Sequence, residues 1–599
     1  MKPSAVGGPG EKSRSVGRVV AVRVMLAVLA IVLLGTAWVG VRAVMARDEL
    51  QSAVPLAEKI RSDVVSGNSQ AASQTVAELA PHAARAVSLT SDPVWRAFET
   101  VPVLGTNLSA VRGVAAIVDS LVLDAVQPLI EAASGVNVAD FAPVNGAVNL
   151  QPLLAVQPQI AAANVALARA RTDVGLINAA HTLAPVRDAV AQLETVVVDA
   201  AGSVDALDRA SRLLPRMLGD SGPRNYLLLV QNPGELRATG GVSGAMALIH
   251  TENGAITLTQ QASTEDFTPA AEPVLPLPAE TTAIYGEVTG RFIQSANLTP
   301  RFALTGALAR EMWRLRYGLT VDGVLTVDPA TLGYLLAATG PITVPSGEVL
   351  TADNAVQVLT RDAYARYPEP ARQDAFFAAA AGAVFTALSA GQSDPVKLVA
   401  AVARGGDEGR VLVWSADKAD QNVLSGTTLA GGLPVSDARA ARFGIYLNDA
   451  TGGKMGTYLG VKAALGQQTC GAPGRPSYRV SITLTNTAPL DAKTSRPSRI
   501  TTFGEYGVTP GNVKTILSVY GVTGMTDLGL TRDGQPVDHN QSTDGGYPVT
   551  TVGVELVPGE SAVLNFGYLG DEEFDGTLLA VGTPIITSQT PTMLTSICD

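Results

Sequence analysis

Between Asn225 and Leu258 the chain reads NYLLLVQNPGELRATGGVSGAMALIHTENGAITL, an order of apolar runs and turns that fits a twisted sheet and little else. Strands are expected at Tyr226–Val230, Ala245–Ile249 and Ala255–Leu258. Turns fall at Asn232-Pro233-Gly234 and at Glu252-Asn253-Gly254, and Asn-Gly between two β-rich runs is a strong hairpin signal. Ahead of the second strand, Glu235 and Arg237 stand among Gly234, Gly240, Gly241 and Gly244. Backbone N–H groups freed by glycine suit an approaching phosphate. The same glycines also suit a tight sheet corner, and spacing does not separate the two readings.

A chain of 599 residues predicts three or four domains. With 46% hydrophobic residues it can fill large cores, and a net charge of −11 argues against nucleic acid as a partner. Dense basic sequence occurs only at the N-terminus. There Lys2, Lys12, Arg14, Arg18 and Arg23 precede the uncharged run Val24–Val41. Eighteen helical residues span about 27 Å, enough to cross a hydrocarbon core. Positive charge stays cytoplasmic, so residues 1–23 are expected inside, 24–46 as the transmembrane helix, and the bulk outside. A cleaved signal peptide ending near Val44-Met45-Ala46 is the alternative, although its apolar region would be long for that role.

Residues 47–217 are Ala-rich and predict a helical stalk or bundle. Leu183, Val186, Val190, Leu193 and Val197 mark one apolar helix face, and Pro93, Pro102, Pro143, Pro152 and Pro158 are expected to break the region into several helices. Residues 218–465 alternate strand and helix patterns and predict an α/β layered domain. Its helices are expected at Phe302–Leu315, at Pro329–Ala338 behind an Asp328 cap, and at 352–363 and 371–388. In residues 466–599 the period becomes two, with Tyr478, Val480, Ile482 and Leu484 alternating with polar residues, as in an immunoglobulin-like β-sandwich. The two cysteines of the chain, Cys470 and Cys598, sit at either end of that segment. In an exported protein they predict a disulfide, with two unpaired buried thiols as the alternative.

Several chemistries are excluded by what is missing. No Walker A loop, HExxH or metal-spaced cysteine cluster occurs, and Gly241-Val242-Ser243-Gly244 has its second glycine one place early for a nucleophile elbow. The four histidines are scattered. What remains is Arg361, Asp362, Arg366, Arg372, Gln373 and Asp374 in one passage, with Glu265 and Asp266 after the third strand. Arginine forks suit phosphate oxygens and paired carboxylates suit Mg²⁺, whereas i,i+4 pairing on a solvated helix face explains the same residues without a ligand.

The blocks NPGELRATGG, VDGVLTVDPATLGYLLAATGPI, LTADNAVQVLTRDAYARYP and YLNDATGGKM resemble the domain-of-unknown-function family 4012 of bacterial membrane-anchored proteins. That family has no established activity, so the resemblance implies architecture. More distantly, the order of elements over residues 225–390 resembles the LytR-CpsA-Psr phosphotransferases. These membrane-anchored enzymes move glycans from polyprenyl-pyrophosphate carriers to the bacterial cell wall, using arginines and Mg²⁺. The resemblance implies phosphate-binding roles for Arg237, Arg361 and Arg372-Gln373, with Asp266 in place of that family's metal-binding acid; Arg366 as a phosphate-binding candidate and Glu265 as a metal-binding candidate rest on residue chemistry alone. It departs at Ser263-Thr264-Glu265-Asp266, where that family carries an Arg-Asp pair; the lost arginine puts turnover in doubt.

The expectation is a multi-domain, single-pass, extracytoplasmic cell-envelope protein that binds, and in the fuller form transfers, a polyprenyl-phosphate-linked glycan. A non-catalytic scaffold that engages other envelope proteins is the alternative. Convergence of Arg237, Arg361 and Arg372 beside an apolar groove favours the first; separate, individually paired arginines favour the second.

Overall fold

The computed structural model describes residues 12–65, 68–102, 104–136, 141, 146–389, 393–469, 475–504, 506–586 and 590–594. They fall into two compact units, Met1–Asn137 with Gln151–Arg212, and Val138–Leu150 with Leu213–Asp599.

The first unit is helical. Its opening helix, Lys12–Val65, is bare along its apolar run: every described side chain from Val20 to Leu34 is exposed. Packing starts at Gly35, where a Cβ would lie 2.8 Å from the Phe98 ring. Beyond it Val39, Ala46, Ala53 and Ile60 are buried, a seven-residue repeat that keeps one stripe facing neighbouring helices. Val39 packs with Trp95 and Leu108, while Ala53 and Ile60 pack with Ala72, Val76, Leu79 and Ala83 of the helix Ser69–Thr90. By length and composition the first helix fits a signal-anchor or a single membrane span; its most apolar window has a mean hydropathy of 2.5 and is 6% buried.

Proline does not punctuate this unit as uniformly as expected. Pro93 opens the helix Pro93–Phe98 under an Asp92 cap, and Pro152 occupies the first turn of Gln151–Gly175. Pro158, however, lies inside that helix without ending it, and Pro143 lies outside the described residues. A mid-helix proline costs about 3 kcal/mol. Here Val156, Ile160, Ala163, Leu167, Ala170 and Val174 are buried on either side of it, and that burial outweighs the lost backbone bond. The helix Ala184–Met217 buries Val190 and Val197 of the predicted face, while Leu183 precedes the helix and is exposed.

The second unit holds a mixed sheet followed by two further sheets. The first is built from β1 (Arg224–Asn232), β2 (Val242–Glu252), β3 (Ala255–Ser263) and β4 (Gly323–Val327). A small separate hairpin, β5 (Ile342–Thr343) and β6 (Val349–Leu350), precedes its last strand, β7 (Val413–Ser415). The order is β3-β2-β1-β4-β7, with β1 and β4 parallel and the other pairs antiparallel. Asn253 (φ 49°) and Gly254 (φ 82°) form the turn between β2 and β3, as an Asn-Gly hairpin requires. One face is covered by the helix Phe302–Tyr317, whose Phe302, Ala309, Met312 and Trp313 pack on Leu227, Leu229, Met246 and Leu248.

The remaining strands are β8 (Ala440–Asp449), β9 (Leu459–Gln468), β10 (Ser477–Asn486), β11 (Val513–Tyr520), β12 (Thr526–Arg532), β13 (Gln535–Pro536), β14 (Asn540–Asp544), β15 (Tyr547–Leu556), β16 (Ser561–Leu569), β17 (Thr577–Gly582) and β18 (Thr592–Met593). They form two sheets, β13-β12-β16-β10-β9-β18 and β14-β15-β11-β8-β17. Alternate residues of both sheets enter one core, including Phe443 and Leu447 of β8, Val480, Ile482 and Leu484 of β10, Leu517 of β11 and Phe566 of β16. The passage FGIYLNDATGGKMGTYL, grouped with the central domain in the sequence analysis, therefore contributes to the C-terminal sheets. Phe443, Ile445 and Leu447 point into their core at strand period.

Candidate functional site

The turn after β1 and the turn after β8 lie against each other. The Gly456 N–H donates to the Gly234 carbonyl at 2.8 Å, Asp449 N–H to Leu236 at 2.9 Å, and Ala238 N–H to the Asn448 side-chain oxygen at 3.0 Å. Close backbone approach accounts for two of the glycines, whereas Gly244 has open space. A Cβ on Gly456 would stand 2.7 Å from the Pro233 carbonyl oxygen, and one on Gly241 would stand 2.2 Å from the Asn232 backbone. At these two positions the space is taken by backbone, as the sheet-corner reading requires.

Between the two turns sits an ionic cluster. The Glu235 carboxylate accepts from Arg237 Nη2 at 2.8 Å and from Lys454 Nζ, and the Glu235 and Lys454 side chains are each only 17% exposed. Arg237 also donates to the Leu236 carbonyl (2.8 Å) and the Gln294 carbonyl (3.2 Å). Burial alone pushes the Glu235 carboxyl up, but Lys454 and Arg237 together reverse this and hold it down at about 2. Asp449 lies in the same field, where burial and the Glu235 charge push its carboxyl up to about 7. Arg237, the Gly452 N–H (3.0 Å) and the Thr451 side chain pull it the other way. Tyr364 joins from a third segment, its hydroxyl accepting from Asn232 Nδ2 at 2.6 Å.

The arginines selected from sequence are satisfied one by one. Arg237 belongs to the cluster just described. Arg361 lies in a π-helical turn, Val358–Asp362, donates to the Thr457 carbonyl and stacks over Tyr458 with its guanidinium carbon 4.5 Å from the ring centre. Arg366 pairs with Glu348 at 2.6 Å, and Arg372, 74% exposed, pairs with Glu369 at 3.1 Å. Each answers to its own neighbour. Glu265 and Asp266 are exposed in the 3₁₀ turn Thr264–Asp266, where Asp266 accepts from the Ser263 N–H at 2.8 Å as half of a capping box. Among the described residues no group of three His, Cys, Asp or Glu side chains is arranged to hold a metal ion. Cys470 and Cys598 lie outside the described residues.

A cleft that sequence reasoning missed opens beside the first sheet. It encloses about 250 Å³ between the passage Phe267–Val274, the segment Arg291–Gln294 and the end of the helix Phe302–Tyr317. Phe267 is held by Trp313 and Tyr317, at ring separations of 6.2 and 5.9 Å. Backbone bonds from Ala270 N–H to the Arg291 carbonyl (3.0 Å) and from Val274 N–H to that of Gly290 (2.9 Å) fix the outer wall. Gly290 is needed here, since a Cβ would meet Pro273 at 2.6 Å. The only sequence signal was a Pro-rich stretch between two apolar segments, which reads as ordinary loop. Lys454 and Asp449 were likewise passed over, although both lie in the quoted block YLNDATGGKM.

Residues 221–364 match a family model described as protein of unknown function (DUF4012). The matched stretch runs from β1 through the cleft and β4 to Tyr364, and leaves out Arg366, Arg372 and Lys454. No curated protein matches the chain.

Proposed function

We propose that this chain is a membrane-anchored, extracytoplasmic envelope protein that works by binding, as a non-catalytic scaffold, rather than by transferring a group. The observation that carries this reading is the separate satisfaction of Arg237, Arg361, Arg366 and Arg372 by their own neighbours. A phosphoryl-transfer site needs positive charge aimed at the ligand, and charge already engaged by Glu235, Glu348 or Glu369 is not aimed there. The membrane anchor is supported by the bare apolar run and by Trp38, over which the Arg42 guanidinium sits at 4.9 Å while pairing with Asp92 at 2.9 Å. Tryptophan and arginine are residues of the membrane–water boundary. An immunoglobulin-like sandwich, supported by the shared core of the two C-terminal sheets, would offer loops to partner proteins.

The second reading is a LytR-CpsA-Psr-like domain that holds a polyprenyl-phosphate-linked glycan. One observation favours it, the presence of a partly apolar cleft lined by two arginines. Thermal melting of the full chain with and without pyrophosphate and Mg²⁺ tests the scaffold reading. A ligand at 100 times its Kd stabilises by about 2.7 kcal/mol. No shift is expected, and a shift abolished by Arg361→Ala would restore the transferase reading.

A further inference from the structure

Two arginines line the cleft, and like Arg361 each is held by a backbone carbonyl and a ring rather than by a carboxylate. Arg291 donates from Nε to the Ala270 carbonyl at 3.0 Å, and Arg316 from Nε to the Asp266 carbonyl at 2.5 Å. These bonds fix each guanidinium at one end of the same five-residue wall. Neither has a carboxylate within salt-bridge distance among the described residues; Arg291 sits over the Phe292 ring at 5.8 Å and Arg316 over the Tyr317 ring at 5.0 Å, contacts that leave the Nη groups able to donate to an acceptor. No acidic residue lines the cleft, in a chain whose net charge is −11. Its other walls are mixed: Phe267, Val274, Phe292, Met312 and Leu315 are apolar, while Thr268 and Gln294 are polar. Leu315 is 58% exposed at the lip of the cleft.

We propose that this cleft binds a single-chain anionic amphiphile, its alkyl chain against Phe267, Phe292, Met312 and Leu315 and its phosphate or carboxylate head between Arg291 and Arg316. Two cations on one wall, in a lining without an acid, supply the charge complementarity for an anionic head. The volume, about 250 Å³, lies just below the ~300–1,000 Å³ of pockets for larger ligands, which favours one chain over a two-chain lipid. The inference is independent of the scaffold reading, because it uses none of the residues on which that reading rests.

The test uses the full chain in phosphatidylcholine nanodiscs and dodecyl phosphate carrying a diazirine on its alkyl chain. After illumination, the labelled peptide is identified by mass spectrometry. Labelling is expected on residues 267–274 or 312–316, competed by unlabelled dodecyl phosphate and at least tenfold less by inorganic phosphate or dodecanol. Arg291→Gln with Arg316→Gln should reduce labelling at least tenfold, and Arg314→Gln, on the same helix but paired with Glu311, should not. Because Leu315 is exposed, Leu315→Asp keeps the fold and should abolish labelling even if the double variant unfolds. Equal competition by inorganic phosphate means a plain anion site, and equal competition by dodecanol with no effect of the arginines means a plain apolar hole. Either result, or labelling elsewhere only, overturns the proposal.

Discussion

Glu235 and Lys454, 219 residues apart in sequence, form an ion pair that ties the turn after β1 to the turn after β8. Each side chain is largely buried, so the pair depends on both members. Replacing Glu235 by Gln leaves Lys454 and Arg237 without their counter-charge, which for a buried pair costs about 3–5 kcal/mol. A lower melting temperature is expected for Glu235→Gln, with Glu235→Gln/Lys454→Met recovering much of it. Calorimetry of the full chain measures both, and equal melting of wild type and Glu235→Gln would show that the pair holds nothing together.

The same cluster predicts opposite pH responses from its two carboxylates. Glu235, held at about 2 in the folded chain, sits below its unfolded value of ~4.3. Its contribution is therefore complete above about pH 4 and is lost as pH falls toward 2. Asp449, raised to about 7 from ~3.9, holds its proton more tightly when folded, so stability falls as pH rises from about 4 to about 7. Asp449→Asn can still accept from Gly452 and Thr451, and should be near neutral at pH 4 yet stabilising at pH 8. Melting curves at both pH values decide it; no gain at pH 8 would contradict the assignment.

Two classes of arginine should separate in stability. Arg410 is 4% exposed and bonds Asp328 at 2.6 Å, Asp328 itself being 3% exposed. Arg410→Ala strands that carboxylate and should cost about 3–5 kcal/mol. Arg372→Ala removes a surface pair worth less than about 1 kcal/mol. Chemical denaturation of the two variants gives the comparison, and a large loss from Arg372→Ala would mean it meets something beyond Glu369.

Much of the local structure was legible because its signals are local. The Asn253-Gly254 hairpin, the Asp328 cap, which accepts from the Thr331 N–H at 2.8 Å, and the alternation from Tyr478 to Leu484 each follow from residues a few positions apart. The site was not legible, since Glu235 meets Lys454 and Arg237 meets Gln294 only through the tertiary fold. Charge identity showed that Arg361 and Arg366 were available cations. It did not show that Thr457 and Glu348 would engage them. Pro158 misled for a related reason, because the burial that holds its helix together comes from other helices.

A covalent prediction concerns the two cysteines. β18 runs parallel to β9 with Met593 opposite Leu465, and each cysteine follows its member of that pair by five positions in sequence. Peptide mapping without reduction should yield one linked pair containing Cys470 and Cys598. A disulfide closing so long a loop is worth up to about 4–5 kcal/mol in the chain-entropy model. Quantitative alkylation of both thiols in unreduced protein would rule the bond out.

The most direct test of the account is a transfer assay. Full-length protein in nanodiscs is supplied with Mg²⁺, a radiolabelled polyprenyl-pyrophosphate-linked glycan and a cell-wall acceptor, and the label reaching the acceptor is measured for wild type and Arg361→Ala. The account predicts no transfer above the protein-free control for either form. Transfer by the wild type that is lost in Arg361→Ala would contradict it.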